Sequence, residues 1–169
     1  MKNTDFGKLH GTKRLGLHHI ALEPGEKLAF HSHGTSVEDF AYVLKGHPKS
    51  SLTGAIVELS PRFAVGFGRG MSESEFIFND TNEIVELFCA WKKRTGDSPS
   101  AALVVDASIL PLGKLIQYRD DAETFGHGQK LSELTGLRHL GVWEETLMPE
   151  RRSSFPHAHL VQEEFAYIV

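Results

Sequence analysis

The chain has 169 residues, of which 40% are hydrophobic and 24% charged, values that are ordinary for a globular protein. The net charge of -4 gives no reason to expect nucleic acid or an anionic membrane as a partner, and the apolar runs are too short to span a bilayer. Residues 1–10 lack the apolar core of a secretion signal. The single cysteine, Cys89, excludes an intrachain disulfide and fits a reducing compartment. We therefore expect a cytoplasmic protein.

Short strand-like segments follow one another along the first half of the chain. Turn residues such as Pro24-Gly25 separate them. The predicted strands cover residues 14–23, 27–31, 39–45, 54–59 and 84–91. Many short strands with Gly- and Pro-rich breaks predict an all-β barrel or sandwich. The polar segment 92–100, KKRTGDSPS, predicts a linker at a domain boundary.

Candidate metal ligands lie in the stretch from Gly25 to Gly46. His31 and His33 are two positions apart, so both imidazoles point to the same side of a strand. Two imidazoles and one carboxylate on one side of an ion suit zinc and non-haem iron. Both Glu38 and Asp39 can supply that carboxylate. Asp39 is in phase with the strand that follows, whereas Glu38 lies nearer the turn, and the choice stays open.

This stretch resembles the first motif of the cupin superfamily. In that motif a Gly, five residues, His-x-His, three or four residues, Glu, six residues and a Gly follow one another. Gly25 and His31 keep the first interval, but one residue too many lies between His33 and Gly46. The resemblance implies a double-stranded β-helix, the cupin jelly-roll barrel, over residues 1–91.

A weaker resemblance to the second cupin motif covers residues 63–79. Asn79 stands at the motif's Asn, and Glu75 occupies the place of the motif's third histidine, with Glu73 as an alternative on the same face. The metal ligands implied by the resemblance are His31, His33, Asp39 or Glu38, and Glu75. Such a set is rich in oxygen and suits Zn, Mn, Fe or Ni. The departure from histidine is also what a barrel without a metal would show.

The first motif region occurs a second time near the end of the chain. Residues 136–169 repeat residues 11–44, and Phe40-Ala41-Tyr42 matches Phe165-Ala166-Tyr167 at a constant offset. The repeat predicts a bicupin, in which residues 101–169 form the first half of a second unit.

The second copy has its own pair of histidines. His157 and His159 match the earlier pair after a slip of one residue, and four residues separate His159 from Glu164. Glu164 falls in phase with Asp39, which favours Asp39 over Glu38 in the first copy. The resemblance implies a second, incomplete site that holds a metal weakly, because no second motif follows it.

The resemblance implies several functions. We expect a divalent-metal-dependent enzyme that acts on a small sugar-like or hydroxy-carbonyl substrate and resembles an isomerase, such as a sugar phosphate isomerase, or a dioxygenase, with the metal as Lewis acid. The alternatives are a non-catalytic cupin that binds a small ligand and an inactive truncated bicupin. No catalytic residue is assigned beyond the metal ligands, and no phosphate or dinucleotide loop predicts an organic cofactor.

The second copy also predicts a homodimer. Its apolar residues have the pattern of strands, but the strands that should pair with them are absent, and such open edges aggregate unless they are covered. The first barrel can cover one side, so we expect a second chain to cover the other through residues 101–169.

Overall fold

The computed structural model describes residues 1–30, 37–68, 75–93, 103–111, 113–117 and 122–169. His31 and His33, and the alternative ligand Glu73, lie outside these residues. The strands are β1 (Lys2–Asp5), β2 (Leu15–Leu22), β3 (Lys27–Ala29), β4 (Val37–Lys45), β5 (Lys49–Leu52), β6 (Ala55–Glu58), β7 (Phe63–Phe67), β8 (Phe76–Phe78), β9 (Val85–Lys93), β10 (Leu103–Asp106), β11 (Lys114–Gln117), β12 (Thr124–Lys130) and β13 (Trp143–Leu147). The helices are α1 (Phe6–His10) and α2 (Leu131–Leu134). In the part of the chain that the structure describes, no helix is long and apolar enough to cross a membrane.

Two antiparallel sheets face each other in the first half of the chain. One has the order β1-β2-β9-β4-β7-β10 and the other the order β3-β8-β5-β6. Alternate residues of each strand point between the sheets, and they form a continuous apolar core. This inner core comprises Ile20, Leu22, Phe30, Ala41, Val43, Leu52, Leu59, Val65, Phe67, Ile77, Val85, Leu87 and Cys89. The predominantly β architecture is therefore as predicted.

The outer face of the six-stranded sheet is covered by the second half of the chain. Phe40 and Tyr42 of β4 belong to an outer core with Leu131, Leu137 and Leu140. Strand β4 is consequently buried on both faces over most of its length, which explains why its sequence is apolar at consecutive positions.

The strand–helix–strand unit at the start of the chain occurs twice. β1 pairs with β2 so that Lys2 faces Ala21, and β12 pairs with β13 so that His127 faces Thr146, an offset of 125 residues in both strands. Each of the helices α1 and α2 follows directly on the first strand of its pair. The structural repeat thus begins earlier than the sequence repeat and reaches back to the first residues of the chain.

The described residues contain more strands than the sequence predicted, and two of these strands, β10 and β12, bear on the division into two units. Strand β10 lies in the segment predicted as the second unit, yet it pairs with β7 at the edge of the first sheet. Strand β12 lies in segment 120–135, whose polar, Gly-interrupted sequence indicates at best a short helix; the segment forms β12 first and then the short helix α2. The sequence of β12, TFGHGQK, has no alternating pattern, and the strand exists because β11 and β13 pair with it on both sides.

The strand that should correspond to β4 in the second copy does not form. β4 is held between β7 and β9, whereas in the described part of the chain residues 162–169 pair with no strand. These residues instead lie on the first unit, where the Phe165 ring stacks on Phe6 with centroids 5.9 Å apart and the Tyr167 ring lies 4.8 Å from that of Phe88.

Candidate metal sites

Three donor atoms of the second copy meet in a compact triangle. His157 Nε2 lies 3.2 Å from His159 Nε2, His159 Nε2 lies 2.7 Å from Glu164 Oε2, and His157 Nε2 lies 3.7 Å from the same oxygen. Ligand atoms that bind one tetrahedral ion at about 2.0–2.2 Å are roughly 3.3–3.6 Å apart. The three separations lie around this value, and the shortest is a hydrogen bond between His159 and the carboxylate that a bound ion would replace. We call these three residues the triad.

The protonation of one imidazole suits a metal ligand. His157 Nδ1 lies 2.7 Å from the carbonyl oxygen of Phe155. A carbonyl can only accept, so Nδ1 donates its proton, and in the neutral imidazole Nε2 then has the lone pair that a metal ligand needs. By the same reasoning His159 Nε2 donates to the Glu164 carboxylate at 2.7 Å, and it would give up that proton when a metal binds. Metal-binding histidines commonly donate their second N–H to a carbonyl in this way.

The triad lies on the surface of the molecule. The side chains of His157, His159 and Glu164 are 42%, 34% and 65% exposed. Two imidazoles and one carboxylate are acceptable to Zn, Mn, Fe and Ni. Three protein ligands on an exposed surface leave coordination positions for water or a small ligand, as in catalytic rather than structural metal sites.

In the first copy, Asp39 faces the interior between the two sheets. It is 7% exposed and occupies the strand phase of Ala41 and Val43, which belong to the inner core. Burial, with the Asp39 carboxylate nearby, raises the pKa of the Cys89 thiol. That thiol also belongs to the inner core, so it is a buried structural group.

Glu38 points to the opposite face of β4. It is fully buried, and its carboxylate accepts hydrogen bonds from the backbone N–H groups of Arg138 at 3.0 Å, His139 at 2.7 Å and Leu140 at 2.9 Å. Of the two acidic residues left open by the sequence, Asp39 is therefore the one that faces the barrel interior. Metal binding by either of them stays a prediction.

Glu75 also occupies an inward-facing position. It is 2% exposed and precedes β8, two residues from the inner-core residue Ile77. Its Oε1 atom accepts a hydrogen bond of 3.3 Å from the backbone N–H of Thr53. Because His31 and His33 lie outside the described residues, their convergence with Glu75 stays a prediction.

Asp39 and Glu75 lie at the same end of the barrel, on opposite sheets. Phe67 is the Cα partner of Asp39 and stacks on Phe30 with ring centroids 4.0 Å apart. Phe30 follows strand β3, whose last residue pairs with Phe76, the neighbour of Glu75. The stacked rings therefore connect the two sheets at the end where both carboxyl groups occur.

A second carboxylate, that of Glu163, also connects the two copies, and the sequence did not point to it. Glu163 accepts hydrogen bonds of 2.8, 2.8 and 2.9 Å from the backbone N–H groups of Lys13, Arg14 and Leu15. These backbone hydrogen bonds lower the pKa of Glu163, and the one from Lys13 has the largest effect. Glu163 is related to Glu38 by the same offset of 125 residues, and so are the amides that each of them binds. The acidic pairs Glu38-Asp39 and Glu163-Glu164 were the available sequence signal. We call each of these two arrangements a clasp.

A polar network adds to the contact between the copies. The Tyr42 hydroxyl donates to Glu144 Oε1 at 2.7 Å, and Arg62 donates to both oxygens of Glu144 at 3.1 and 3.2 Å. Burial and the hydrogen bond to Glu144 raise the pKa of Tyr42 to about 12. The network joins β13 to the first sheet.

No protein-family model and no curated protein matches the chain. Solved structures do match it. A glyoxylate-induced protein from Pseudomonas aeruginosa matches at 13% identity and a TM-score of 0.59, over 70% of this chain and 43% of that one. The protein Ylba from E. coli matches at 18% identity and a TM-score of 0.53, over 65% of this chain and 45% of that one. A sugar phosphate isomerase of the cupin superfamily from Silicibacter pomeroyi matches at 15% identity and a TM-score of 0.48, over 64% of this chain and 78% of that one.

The chain has the cupin fold. This likeness, at such identities, concerns the fold alone, and the chain spans less than half the length of the first two structures. The two facing sheets of the first half form the cupin barrel that the motif resemblance implied. Asp39 and Glu75 face the interior of this barrel, whereas the triad lies in the second copy of the motif.

Proposed function

We propose that this cupin-fold protein binds a divalent metal at the triad and uses it to hold a small oxygen-rich ligand, of the sugar-like or hydroxy-carbonyl class. The observation that carries the proposal is the meeting of His157 Nε2, His159 Nε2 and Glu164 Oε2 within 4.8 Å of one another. The donor set and the fixed tautomer of His157 fit a metal such as zinc or manganese.

The residues of the chain would bind and orient, and the metal would supply the reactivity. A divalent ion acts as a Lewis acid that polarises a carbonyl or hydroxyl oxygen. All three side chains are partly exposed, so an ion held by them would keep coordination positions for the oxygens of the ligand. An enzyme that acts on this ligand class is the function we favour, and a non-catalytic binding module is the alternative.

Calorimetric titration of the full chain with Zn²⁺ and with Mn²⁺ tests the proposal. The wild type should bind metal, and His157→Ala or Glu164→Gln should remove the binding at the triad, because too few donors remain. His47→Ala is the matched control, since that imidazole contacts Ser60 at 3.3 Å on the surface of the barrel. Unchanged binding in both triad variants would overturn the proposal. Metal binding without turnover of any sugar-like or hydroxy-carbonyl compound would favour the non-catalytic alternative.

A second metal in the barrel rests on different residues. The buried, inward-facing carboxyl groups of Asp39 and Glu75 support it, and the sequence supplies His31 and His33 as partners. If this site also binds, the wild type should take up two equivalents and His31→Ala should remove one of them. If the wild type binds only one equivalent of metal, and His31→Ala still binds it, the result would argue against a metal in the barrel.

The homodimer stays a proposal. Apolar side chains of the second copy are exposed, among them Trp143, Leu147, Leu160 and Ile168. A surface of this kind is covered in most stable proteins. Sedimentation at high micromolar concentration should show a dimer, and a well-behaved monomer would exclude it.

A further inference from the structure

The segment that carries Glu164 has two different faces. The side chains of Glu163, Phe165 and Tyr167 are partly buried, whereas those of Glu164, Ala166 and Ile168 are exposed. This is the alternation of an extended chain, in which neighbouring side chains point to opposite sides. One face lies on the first unit, and the other carries the carboxylate of the triad.

The inner face is fixed by polar and aromatic contacts together. The carboxylate of Glu163 receives three backbone N–H groups from residues 13–15. Next to it, the Phe165 ring lies 5.7 Å from that of His10, and the Tyr167 ring lies 6.1 Å from that of Phe6. The Glu163 clasp therefore attaches the segment to the first unit at the residue that immediately precedes Glu164 of the triad.

We propose that Glu163 is a positioning residue for the triad, so that metal binding and docking of the second copy on the first unit are coupled. The inference rests on the proposed metal function of the triad. Glu163 touches no triad atom in this arrangement, and its action passes through the backbone to Glu164. Outer residues that orient metal ligands typically change metal affinity by about 10- to 100-fold when they are removed.

The first copy contains the same arrangement at the equivalent positions. Glu38 binds the amides of residues 138–140 on one face of β4, and the adjacent Asp39 faces the barrel interior on the other. In each copy, the first residue of the acidic pair (Glu38 or Glu163) binds backbone amides of the other copy. The second residue (Asp39 or Glu164) belongs to a candidate metal site. This double occurrence indicates that the coupling is a property of the repeated unit.

Coupling between two sites is reciprocal. If the clasp strengthens metal binding, then metal binding must strengthen the clasp. The amide protons of residues 13–15 report on the clasp directly, since all three donate to Glu163. Zinc should therefore slow hydrogen exchange at these amides in the wild type.

The experiment combines zinc titration with hydrogen exchange on the full chain, for the wild type, Glu163→Gln and Glu144→Gln. Glu163→Gln removes the charge of the clasp and leaves every triad ligand in place. It should weaken the zinc Kd about tenfold and abolish the zinc-dependent protection of residues 13–15. Glu144→Gln is the matched control, because it removes another carboxylate from the contact between the copies. It should leave the zinc Kd unchanged.

Each other outcome overturns the inference in an identifiable way. If the zinc Kd of Glu163→Gln equals that of the wild type, the positioning role is refuted and the proposed metal function is unaffected. An equal loss in Glu163→Gln and Glu144→Gln would show that loosening of the contact, not positioning by Glu163, weakens the metal. An absence of zinc binding in the wild type would refute the metal function and the inference together.

Discussion

The two copies of the motif share their local design but differ in what surrounds them. Both begin with a strand, a short helix and a second strand in the same register, and each places a carboxylate on the backbone of the other. In the first copy the chain then continues into β4, which is buried on both faces. In the second copy residues 162–169 have one face on the first unit and the other exposed.

The difference between the two copies shows which features come from the motif itself and which come from the surrounding barrel. The motif supplies the hairpin, the clasp and the ligand residues, because these depend on nearby sequence and on the other copy. The barrel supplies strand partners and an interior, without which the equivalent of β4 has no ladder to join. Among the described residues, Glu164 lies on a segment that pairs with no strand, and its carboxylate still meets the two imidazoles of the triad.

The largest contrast should appear at one leucine of each copy. Leu22 is fully buried in the inner core, whereas the equivalent Leu147 is 49% exposed. Leu22→Ala should lower the free energy of unfolding by about 2–5 kcal/mol because it leaves a cavity, and Leu147→Ala by less than about 1 kcal/mol. Urea denaturation of both variants measures the difference. Equal losses would mean that the second copy has a covered core after all.

The two clasps should also contribute unequally. Glu38 is fully buried, so Glu38→Gln should cost about 2 kcal/mol, since three backbone N–H groups lose a charged acceptor. The Glu163 side chain is only partly buried, so Glu163→Gln should destabilise the protein less. Denaturation curves for the two single variants decide the order. A reversed order would show that the exposed clasp carries the contact between the copies.

A matched pair of glycines tests the packing around β2 and its counterpart. A Cβ atom on Gly16 would lie 1.9 Å from Cε2 of the Trp91 ring, whereas a Cβ atom on Gly141 would meet nothing within 4 Å. Gly16→Ala should therefore cost about 1–3 kcal/mol as the indole is displaced, and Gly141→Ala should change stability little. Thermal unfolding of the two variants measures this, and an equal shift in Tm would contradict the comparison.

At neutral pH the smallest effect should come from Tyr42, whose contribution to the pH dependence of stability is confined to the alkaline range. Its pKa is raised to about 12 by burial and by Glu144, against about 10 in an unfolded chain. Between these values the unfolded state releases a proton that the folded state keeps, so stability is full below pH 10 and falls as the pH rises toward 12. Tyr42→Phe should reduce this slope in denaturation experiments between pH 9 and 12. A slope that is unchanged in the variant would assign the alkaline loss to other groups.

The parts of the structure that depend on local pattern could be predicted from the sequence. Strand phase favoured Asp39 over Glu38 as the inward residue, and the spacing of His157, His159 and Glu164 indicated that they belong together. The acceptor role of Glu38 could not be predicted, because its partners are backbone amides 100 residues away that have no sequence signature. Strand β12 was missed for a similar reason. A Cβ atom on its Gly126 would lie 2.5 Å from the carbonyl oxygen of Thr146, so this glycine permits a close pairing that only the folded chain reveals.

Zinc binding at the triad can be seen in crystals of the full chain grown with Zn²⁺ and measured at the zinc absorption edge. An anomalous peak is expected about 2.0–2.2 Å from His157 Nε2, His159 Nε2 and Glu164 Oε2, and no peak is expected there in crystals of Glu164→Gln. A wild-type map without zinc at the triad, whether the ion is found inside the barrel or nowhere in the molecule, would contradict the proposed metal function.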